Sequence, residues 1–285
     1  VVETARLILK GASSPLSIPE GDFWGLCYHP DTLKEICILR ERLMKSCETS
    51  EEVVLRALLL GILHGPRNRG LPTYLSNQMP RTYATKPSAA VRYWRRTQKT
   101  EPPRVDVLNA VTRRAEYSLG TMPPPSKGAV YFGDAQHTDT VVPAARKFSW
   151  VVTSPPYFGM RTYRPDQWLR NWFLGGADTV DYSQEGQLSH SADKFAEGLS
   201  DVWKSVARRC FPGTRLIIRF GYLPSVPVDA REILRMSLRL SDSGWRIRRW
   251  ADAGSANNGR RQSEQFGRVM KAAASEVDVY ARLEG

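Results

Sequence analysis

The sequence predicts an α/β protein in which a helical, basic region precedes a mostly parallel sheet flanked by helices. Three observations lead to this fold class. Apolar residues recur at helical spacing early in the chain, residues 123–128 form a proline-rich linker, and short apolar runs then alternate with amphipathic segments. Of the 285 residues, 41% are apolar and 25% charged, a globular composition that excludes a disordered or fibrous chain.

Two helices are expected in the first region. Asp31 has the position of a cap before one of them, because apolar residues recur every three or four positions after it. Thr49 and Glu52 have the spacing of a capping box at the start of the next helix. Gly65, followed by proline, is expected to end that helix.

After the linker, strands and helices alternate. Strands are predicted at residues 129–132, 148–152, 215–220, 245–250 and 276–281, and helices at residues 195–210 and 230–240. This alternation is typical of a parallel sheet. It divides the chain into residues 1–128, with possible target-recognition surface, and residues 129–285, which would form the catalytic region.

The charge balance favours a polyanionic partner. Forty-one Lys and Arg against 29 Asp and Glu leave a formal charge of +12, and the pI is about 9.7. Residues 81–114 contain nine basic and two acidic residues. A solvated helix face is the alternative interpretation of such a run. The nucleic-acid contacts predicted in this run are Arg92, Arg95 and Arg96, interleaved with Tyr83, Tyr93 and Trp94 as possible stacking partners.

Other function classes find little support. No window approaches 18 consecutive apolar residues and no secretory signal is visible, so a cytoplasmic protein is expected. The four cysteines show no metal-site spacing and are interpreted as reduced, mostly buried thiols. The four histidines are scattered without carboxylates at ligand spacing, so neither a metal site nor a nucleophilic triad is predicted.

The segment with the strongest chemical signal directly follows the predicted strand at residues 148–152. It is the S-P-P-Y loop, formed by Ser154, Pro155, Pro156 and Tyr157. Two prolines stiffen a loop and expose its carbonyl groups, and ligands of open α/β sheets bind at such strand ends. A hydroxyl beside a rigid carbonyl and a flat aromatic ring suits the exocyclic amine of cytosine or adenine. A purely structural turn is the alternative.

The loop and its surroundings resemble a known family. Residues 151–157 are similar to the catalytic motif of amino-group DNA methyltransferases, the modification methylases that make N4-methylcytosine or N6-methyladenine. Residues 131–135 resemble the family's strand-end Gly-Asp motif, and residues 211–221 its next strand motif. Residues 75–83 resemble an upstream segment of some modification methylases. The similarity extends over residues 70–285 and implies a Rossmann-like fold that uses S-adenosylmethionine.

The resemblance also implies roles for individual residues. Ser154 and the Pro155 carbonyl would accept the hydrogens of the target amine, Pro156 would keep the loop stiff, and Tyr157 would stack on a flipped base. Serine at the first motif position favours cytosine N4 over adenine N6. The cofactor site implied by the family comprises Gly133, Asp134 and Thr153. No metal is implied.

One family feature is missing from the sequence. The family binds its cofactor through a glycine-rich F-x-G-x-G loop, and this chain contains none. We therefore expect that the chain begins downstream of the first strands, that a partner chain supplies the loop, or that the protein is catalytically inactive.

Two arginines in a predicted loop complete the candidate nucleic-acid contacts, Arg260 and Arg261. The strand at residues 245–250 could touch DNA, although its alternation fits a half-exposed strand equally well. The sequence thus predicts an S-adenosylmethionine-dependent methyltransferase acting on double-stranded DNA, cytosine N4 first and adenine N6 second. A noncatalytic DNA-binding fragment and an RNA or protein-glutamine methyltransferase are the alternatives.

Overall fold

The computed structural model describes residues 1–65, 74–79, 86–121, 127–159, 163–180, 182, 191–221, 228–255 and 275–284. These residues belong to two compact units, one formed by Val1–Pro125 with Thr162–Ser183 and the other by Ser126–Arg161 with Gln184–Gly285. The sequence division at residue 128 assigns Thr162–Ser183 to the second region, whereas contacts group it with the first. Among the described helices, none is both long and apolar enough to cross a membrane.

The described elements follow one another in this order along the chain: α1 (Val2–Gly11), α2 (Asp22–Cys27), α3 (Pro30–Lys45), α4 (Ser50–Ile62), α5 (Pro87–Arg96), α6 (Val107–Leu119), α7 (Thr138–Val141), β1 (Phe148–Thr153), α8 (Tyr163–Phe173), α9 (Ala192–Ala207), β2 (Cys210–Gly221), α10 (Ala230–Leu240), β3 (Trp245–Ser255) and β4 (Ser275–Leu283). A 3₁₀ turn at Ala135–His137 precedes α7.

One predicted helix cap is confirmed and another is wrong. In the capping box of α4, Thr49 Oγ accepts a hydrogen bond from the backbone N–H of Glu52 at 3.2 Å, and the Glu52 carboxylate accepts one from the N–H of Thr49. α3, however, begins at Pro30, before the expected cap at Asp31. His29 is the cap, and its Nδ1 accepts a hydrogen bond from the Asp31 N–H at 3.2 Å. The helix begins at Pro30 because the fixed φ of proline suits the first helical position.

The core of the first unit is rich in aromatic residues. The ring of Phe23 on α2 lies 5.7 Å from Trp94 on α5 and 5.1 Å from Trp168 on α8. Trp24 lies 4.6 Å from Trp172, also on α8. All five side chains are buried. These contacts explain why α8 belongs to the first unit although β1, which precedes it in the chain, belongs to the second.

The second unit contains a four-stranded sheet of order β1-β2-β4-β3. β1 pairs in parallel with β2, whereas β4 pairs antiparallel with both β2 and β3. The α/β class and four of the five predicted strands are therefore confirmed, but the expectation of a mostly parallel sheet is wrong for the described strands. The last two strands are connected by residues 256–274, for which the sequence predicts no helix, and an antiparallel pair needs no helical crossover.

The predicted strand at residues 129–132 is not found. These residues lie outside the described strands, and the side chains of Val130 and Phe132 are fully exposed. Strand propensity alone does not form a strand, because an extended segment needs a pairing partner for its backbone groups.

α9 and α10 cover one face of the sheet. Phe195, Leu199 and Trp203 of α9 pack in one core with Leu216 and Ile218 of β2. The indole N–H of Trp203 donates to Ser237 Oγ on α10 at 2.9 Å, and that of Trp245 donates to the Trp203 carbonyl at 3.1 Å. These buried bonds join α9 to α10 and to the start of β3.

Candidate active site at the end of β1

The S-P-P-Y loop starts where the parallel pairing of β1 stops. Thr153, the last residue of β1, pairs with Ile218 of β2, and the loop then leaves the sheet. Ser154 and Pro156 are exposed, whereas Pro155 and Tyr157 are half-buried. The predicted placement of the loop at a strand's carboxyl end is therefore correct. The Ser154 hydroxyl is accessible to a ligand from solvent.

Tyr157 ties the loop to the far end of the chain. Its hydroxyl donates a hydrogen bond to the Glu276 carboxylate at the start of β4, and its ring lies edge-on to Phe220 at 6.2 Å. Glu276 is paired with Gly221 in the ladder between β2 and β4, so the acceptor sits on a rigid element. Sequence reasoning missed Glu276 because a lone acid in a strand gives no signal of a contact 119 residues away.

An aromatic cluster supports the loop from below. Phe158, the next residue, is buried with its ring 5.2 Å from Phe195 of α9, and Phe195 lies 6.0 Å from Phe220. Two edge-on contacts and a buried side chain thus hold the carboxyl end of the loop. Such a support limits the motion of the loop that carries the Ser154 hydroxyl and the Pro155 carbonyl, which a preorganised site requires.

The Gly-Asp motif has a defined structural role. Asp134 Oδ1 accepts a hydrogen bond from the Gln136 N–H at 2.9 Å and caps the 3₁₀ turn, and Gln136 Nε2 donates to the Gly198 carbonyl of α9 at 3.1 Å. A Cβ on Gly133 would lie 2.5 Å from Val141 Cγ2, so the backbone passes too close for a side chain. Asp134 itself is exposed. These bonds connect the motif to α9, and its cofactor role stays a prediction.

An ion-paired network anchors the segment behind the Gly-Asp motif. The Asp139 carboxylate accepts hydrogen bonds from Arg208 and, at 2.7 Å, from Ser205. Arg208 first, and Ser205 second, hold the pKa of Asp139 below its usual range. Arg209 donates to the backbone carbonyl of Val142 at 3.0 Å. These arginines are thus engaged in structure and are not primary candidates for DNA contact.

The structure separates the predicted nucleic-acid residues of α5 into two groups. Arg92, Arg95 and Arg96 are exposed, and Arg95 pairs with Asp22 at 2.8 Å. Trp94 is fully buried and donates its indole N–H to the Gln78 carbonyl at 2.9 Å. Its predicted role as a stacking surface for bases is therefore wrong, because the amphipathic helix turns this ring into the core.

Residues 74–79, part of the segment that resembles an upstream segment of some modification methylases, form a buried support. Asn77 donates through Nδ2 to the carbonyls of Leu26 and Lys99, at 3.0 and 2.8 Å, and its N–H donates to the Cys27 carbonyl. Asn77 therefore joins the end of α2 to the segment after α5. Pro80 and the following residues of this motif, with Tyr83, lie outside the described residues.

Two further predictions of nucleic-acid contact concern the loop arginines Arg260 and Arg261 and the strand β3. Arg260 and Arg261 lie outside the described residues. On β3, Trp245 is buried, and Trp250 is half-buried beneath the guanidinium groups of Arg231 and Arg235, at 5.8 and 5.3 Å. The tryptophans of this strand therefore pack against protein, as the structural alternative expected.

No group of metal-ligating side chains occurs among the described residues. The four cysteines are free thiols, and three are buried: Cys27, Cys37 and Cys210. Burial raises the pKa of Cys37 to about 12, which makes it unreactive as a nucleophile at neutral pH. The expectation that these cysteines are mostly buried is confirmed.

No protein-family model matches the chain, and no curated protein is significantly similar in sequence. Among solved structures, the chain is similar to TTHA0409 of Thermus thermophilus, a provisionally assigned DNA modification methylase. The identity is 19% over 54% of this chain and 52% of that chain, with a TM-score of 0.29. The complex of the same protein with S-adenosyl-L-methionine is 18% identical over 54% of this chain and 52% of that chain, with a TM-score of 0.28. The matched region spans about half of those structures.

Proposed function

We propose that the chain methylates the exocyclic amine of a flipped base in double-stranded DNA, with cytosine N4 as the favoured target. The S-P-P-Y loop is the observation that carries this proposal. It presents the Ser154 hydroxyl and the Pro155 carbonyl at the carboxyl end of β1, and Tyr157 is anchored beside them through Glu276. The family resemblance of the loop supports the same function.

The loop suits the chemistry of an aromatic amine. The lone pair of such a nitrogen is delocalised into the ring, which makes it a poor nucleophile. Ser154 Oγ and the Pro155 carbonyl would accept its two N–H bonds, draw the nitrogen toward tetrahedral geometry and stabilise the positive charge that develops as it attacks an electrophilic carbon. The proton can leave after attack, so the proposal needs no general base.

Tyr157 would hold the base in place. A base within a duplex cannot reach the loop and must be flipped out and stacked on a flat surface. The half-buried ring of Tyr157 is fixed at its hydroxyl by Glu276 and along its edge by Phe220, so little motion would have to be lost on binding.

S-adenosylmethionine is the methyl donor implied by the resemblance, but the residues present do not by themselves fit it. Gly133, Asp134 and Thr153 could border one edge of the cofactor, yet one carboxylate oxygen of Asp134 already caps a turn. The sequence has no glycine-rich loop to bring backbone amides to the cofactor. The proposal therefore includes a further polypeptide segment or partner chain that supplies this loop. A DNA substrate agrees with a cytoplasmic location.

Methyl transfer to DNA tests the proposal. The chain would be incubated with S-adenosylmethionine and mixed bacterial DNA, together with the polypeptide that supplies the glycine-rich loop, and the digested nucleosides would be measured by mass spectrometry. N4-methylcytosine is expected, and Ser154→Ala should lower its formation roughly 100-fold, the effect of removing one preorganised partner. Ser149→Ala, at an exposed position of β1, is the matched control and should leave it unchanged. N6-methyladenine as the product would correct the target base.

Base flipping provides a second test that needs no cofactor. A duplex with 2-aminopurine at the target position should gain fluorescence on binding, and Tyr157→Ala should abolish the gain. If methyl transfer and base flipping are both missing, the methyltransferase proposal fails.

The missing glycine loop favours one alternative, a noncatalytic DNA-binding protein. It predicts salt-dependent duplex binding that Ser154→Ala and Tyr157→Ala leave unchanged, without methylated product. Competition between DNA and RNA for one labelled methyl group separates DNA methylation from the RNA alternative.

A further inference from the structure

The sheet of the second unit has a second face, opposite α9 and α10. Two adjacent rows of side chains on this face lie next to a further row in which Arg219 pairs with Asp278. Directly paired strand residues point to the same face of a sheet. The pairing register places Trp150, Arg215, Arg282 and Arg246 in one row across the four strands. The next row contains Val152, Ile217, Tyr280 and Arg249. We refer to these eight residues as the open face.

The open face combines apolar and cationic surface. Trp150 is 51% exposed and Val152 is 72% exposed, although both belong to a strand of a parallel pair, which is normally buried on both faces. The arginines of both rows are exposed. Exposed apolar side chains on a sheet face mark a surface that another element covers.

The charges of the open face are poorly balanced. Arg215, Arg282 and Arg246 are cross-strand neighbours, and like charges in that arrangement repel. Among the described residues, Glu284 is the carboxylate that pairs with this row, 3.5 Å from Arg246, and it is shared with Arg248. A partner that brings carboxylates to the row would remove this repulsion, so charge complementarity calls for an acidic occupant.

The aromatic rings of the open face distinguish a protein from a nucleic acid. Single-stranded nucleic acids bind to sheets by stacking bases on free aromatic faces. Here the Arg215 guanidinium lies over the Trp150 ring at 4.7 Å, and Arg249 lies over Tyr280 at 5.5 Å. Each ring thus has a face occupied by a cation, while the aliphatic side chains of Val152 and Ile217 lie in the row next to Trp150 and Arg215.

We propose that the open face docks an acidic amphipathic helix of a partner polypeptide. Apolar residues of the helix would cover Trp150, Val152 and Ile217, and its flanking carboxylates would pair with Arg215, Arg282 and Arg249. Helical residues three or four positions apart are about 5–6 Å apart, which suits arginines on strands about 4.8 Å apart. Docking requires neither methyl transfer nor base flipping, so the docking proposal is tested independently of the proposed methyltransferase function.

Fluorescence anisotropy of synthetic helices on the intact chain tests this proposal. The probe is a labelled peptide of about 18 residues, five helical turns, with leucines on one face and glutamates flanking them. In about 0.15 M salt it should bind, and the same peptide with glutamine for glutamate should bind at least about 10-fold more weakly, a difference of about 1.4 kcal/mol.

Variants of the chain locate the binding. Arg215→Gln with Arg282→Gln should weaken the acidic peptide about 10-fold. Arg239→Gln, an exposed arginine on α10 on the other side of the sheet, is the control and should change nothing. If the double variant does not fold, a peptide with lysine for glutamate on the unaltered chain provides the same comparison and should not bind.

Two results would overturn the proposal. One is binding of the acidic peptide that the open-face substitutions leave unchanged. The other is an oligonucleotide of equal charge that binds the chain and loses affinity in the same double variant while the peptide shows no binding, which would assign the face to nucleic acid.

Discussion

The Tyr157 hydroxyl donates a hydrogen bond to the Glu276 carboxylate and so joins the loop after β1 to the start of β4. The two residues are 119 positions apart in the chain. In the sheet, β1 pairs with β2 and not with β4, so this hydrogen bond connects the candidate catalytic loop to a strand that β1 does not contact in the ladder. We expect the rigidity of the loop to depend on this bond.

A double-mutant cycle on Tyr157→Phe and Glu276→Gln should reveal this connection. The hydrogen bond involves a charged acceptor, and we expect a coupling of about 1 kcal/mol in the free energy of unfolding, measured by urea denaturation. Tyr117→Phe, which removes an exposed hydroxyl elsewhere, should have no effect. Additive single substitutions would show that the loop is held by the Phe158 contacts alone.

Acid should weaken the sheet through Asp278. Its carboxylate forms two hydrogen bonds with Arg219, both 2.8 Å, and this pairing lowers the pKa of Asp278 below its ordinary value of 3.8. Because the pKa is lower in the folded protein, the stabilisation is present above that ordinary value and is lost as the pH falls through the folded pKa.

Urea denaturation at several pH values below about 5 measures this loss. Asp278→Asn should flatten the decline of unfolding free energy with acid, whereas Asp201→Asn, an exposed carboxylate on α9, should keep the original slope. Equal slopes for the unaltered chain and Asp278→Asn would contradict the assignment.

The sequence predicts those features that depend on neighbouring residues, such as the bounds of a helix and the end of a strand. Residues 230–240 carry apolar side chains at helical spacing and form α10 with those same bounds. The S-P-P-Y loop lies at the strand end because its two consecutive prolines offer no backbone N–H groups to continue the pairing.

What the sequence could not predict depends on distant partners. Trp94 is buried beside Phe23 of α2, and nothing in the residues next to it in the chain indicates that helix. The antiparallel placement of β4 between β2 and β3 is likewise decided by pairing across the unit. Residues 129–132 show the converse, since strand propensity without a partner leaves Val130 exposed.

Exposed arginines on α5 should contribute to DNA affinity through phosphate contacts. If Arg92 and Arg96 each neutralise one phosphate, the double substitution to glutamine should lower the slope of log affinity against log salt by about 1.8, or about 0.9 per contact. Duplex binding measured at several salt concentrations provides the slope. Lys10→Gln with Lys45→Gln removes the same charge from other exposed positions of the first unit and should alter the slope less. Identical slopes for the two double variants would show that Arg92 and Arg96 act only through the net charge of the protein and do not contact phosphates.

Gly133 should tolerate no side chain, because the space beside it is filled. A Cβ there would lie 2.5 Å from Val141 Cγ2, so Gly133→Ala should destabilise the second unit by about 1–2 kcal/mol, the usual cost of overpacking. Val141→Ala in the same chain should restore most of the loss, since it removes the atoms in conflict. Gly25→Ala, on α2 with no atom within 4 Å of the new Cβ, is the matched control and should be neutral or stabilising. Thermal unfolding of the four chains measures these differences, and a Gly133→Ala loss that Val141→Ala does not reduce would contradict the assignment of the loss to this contact.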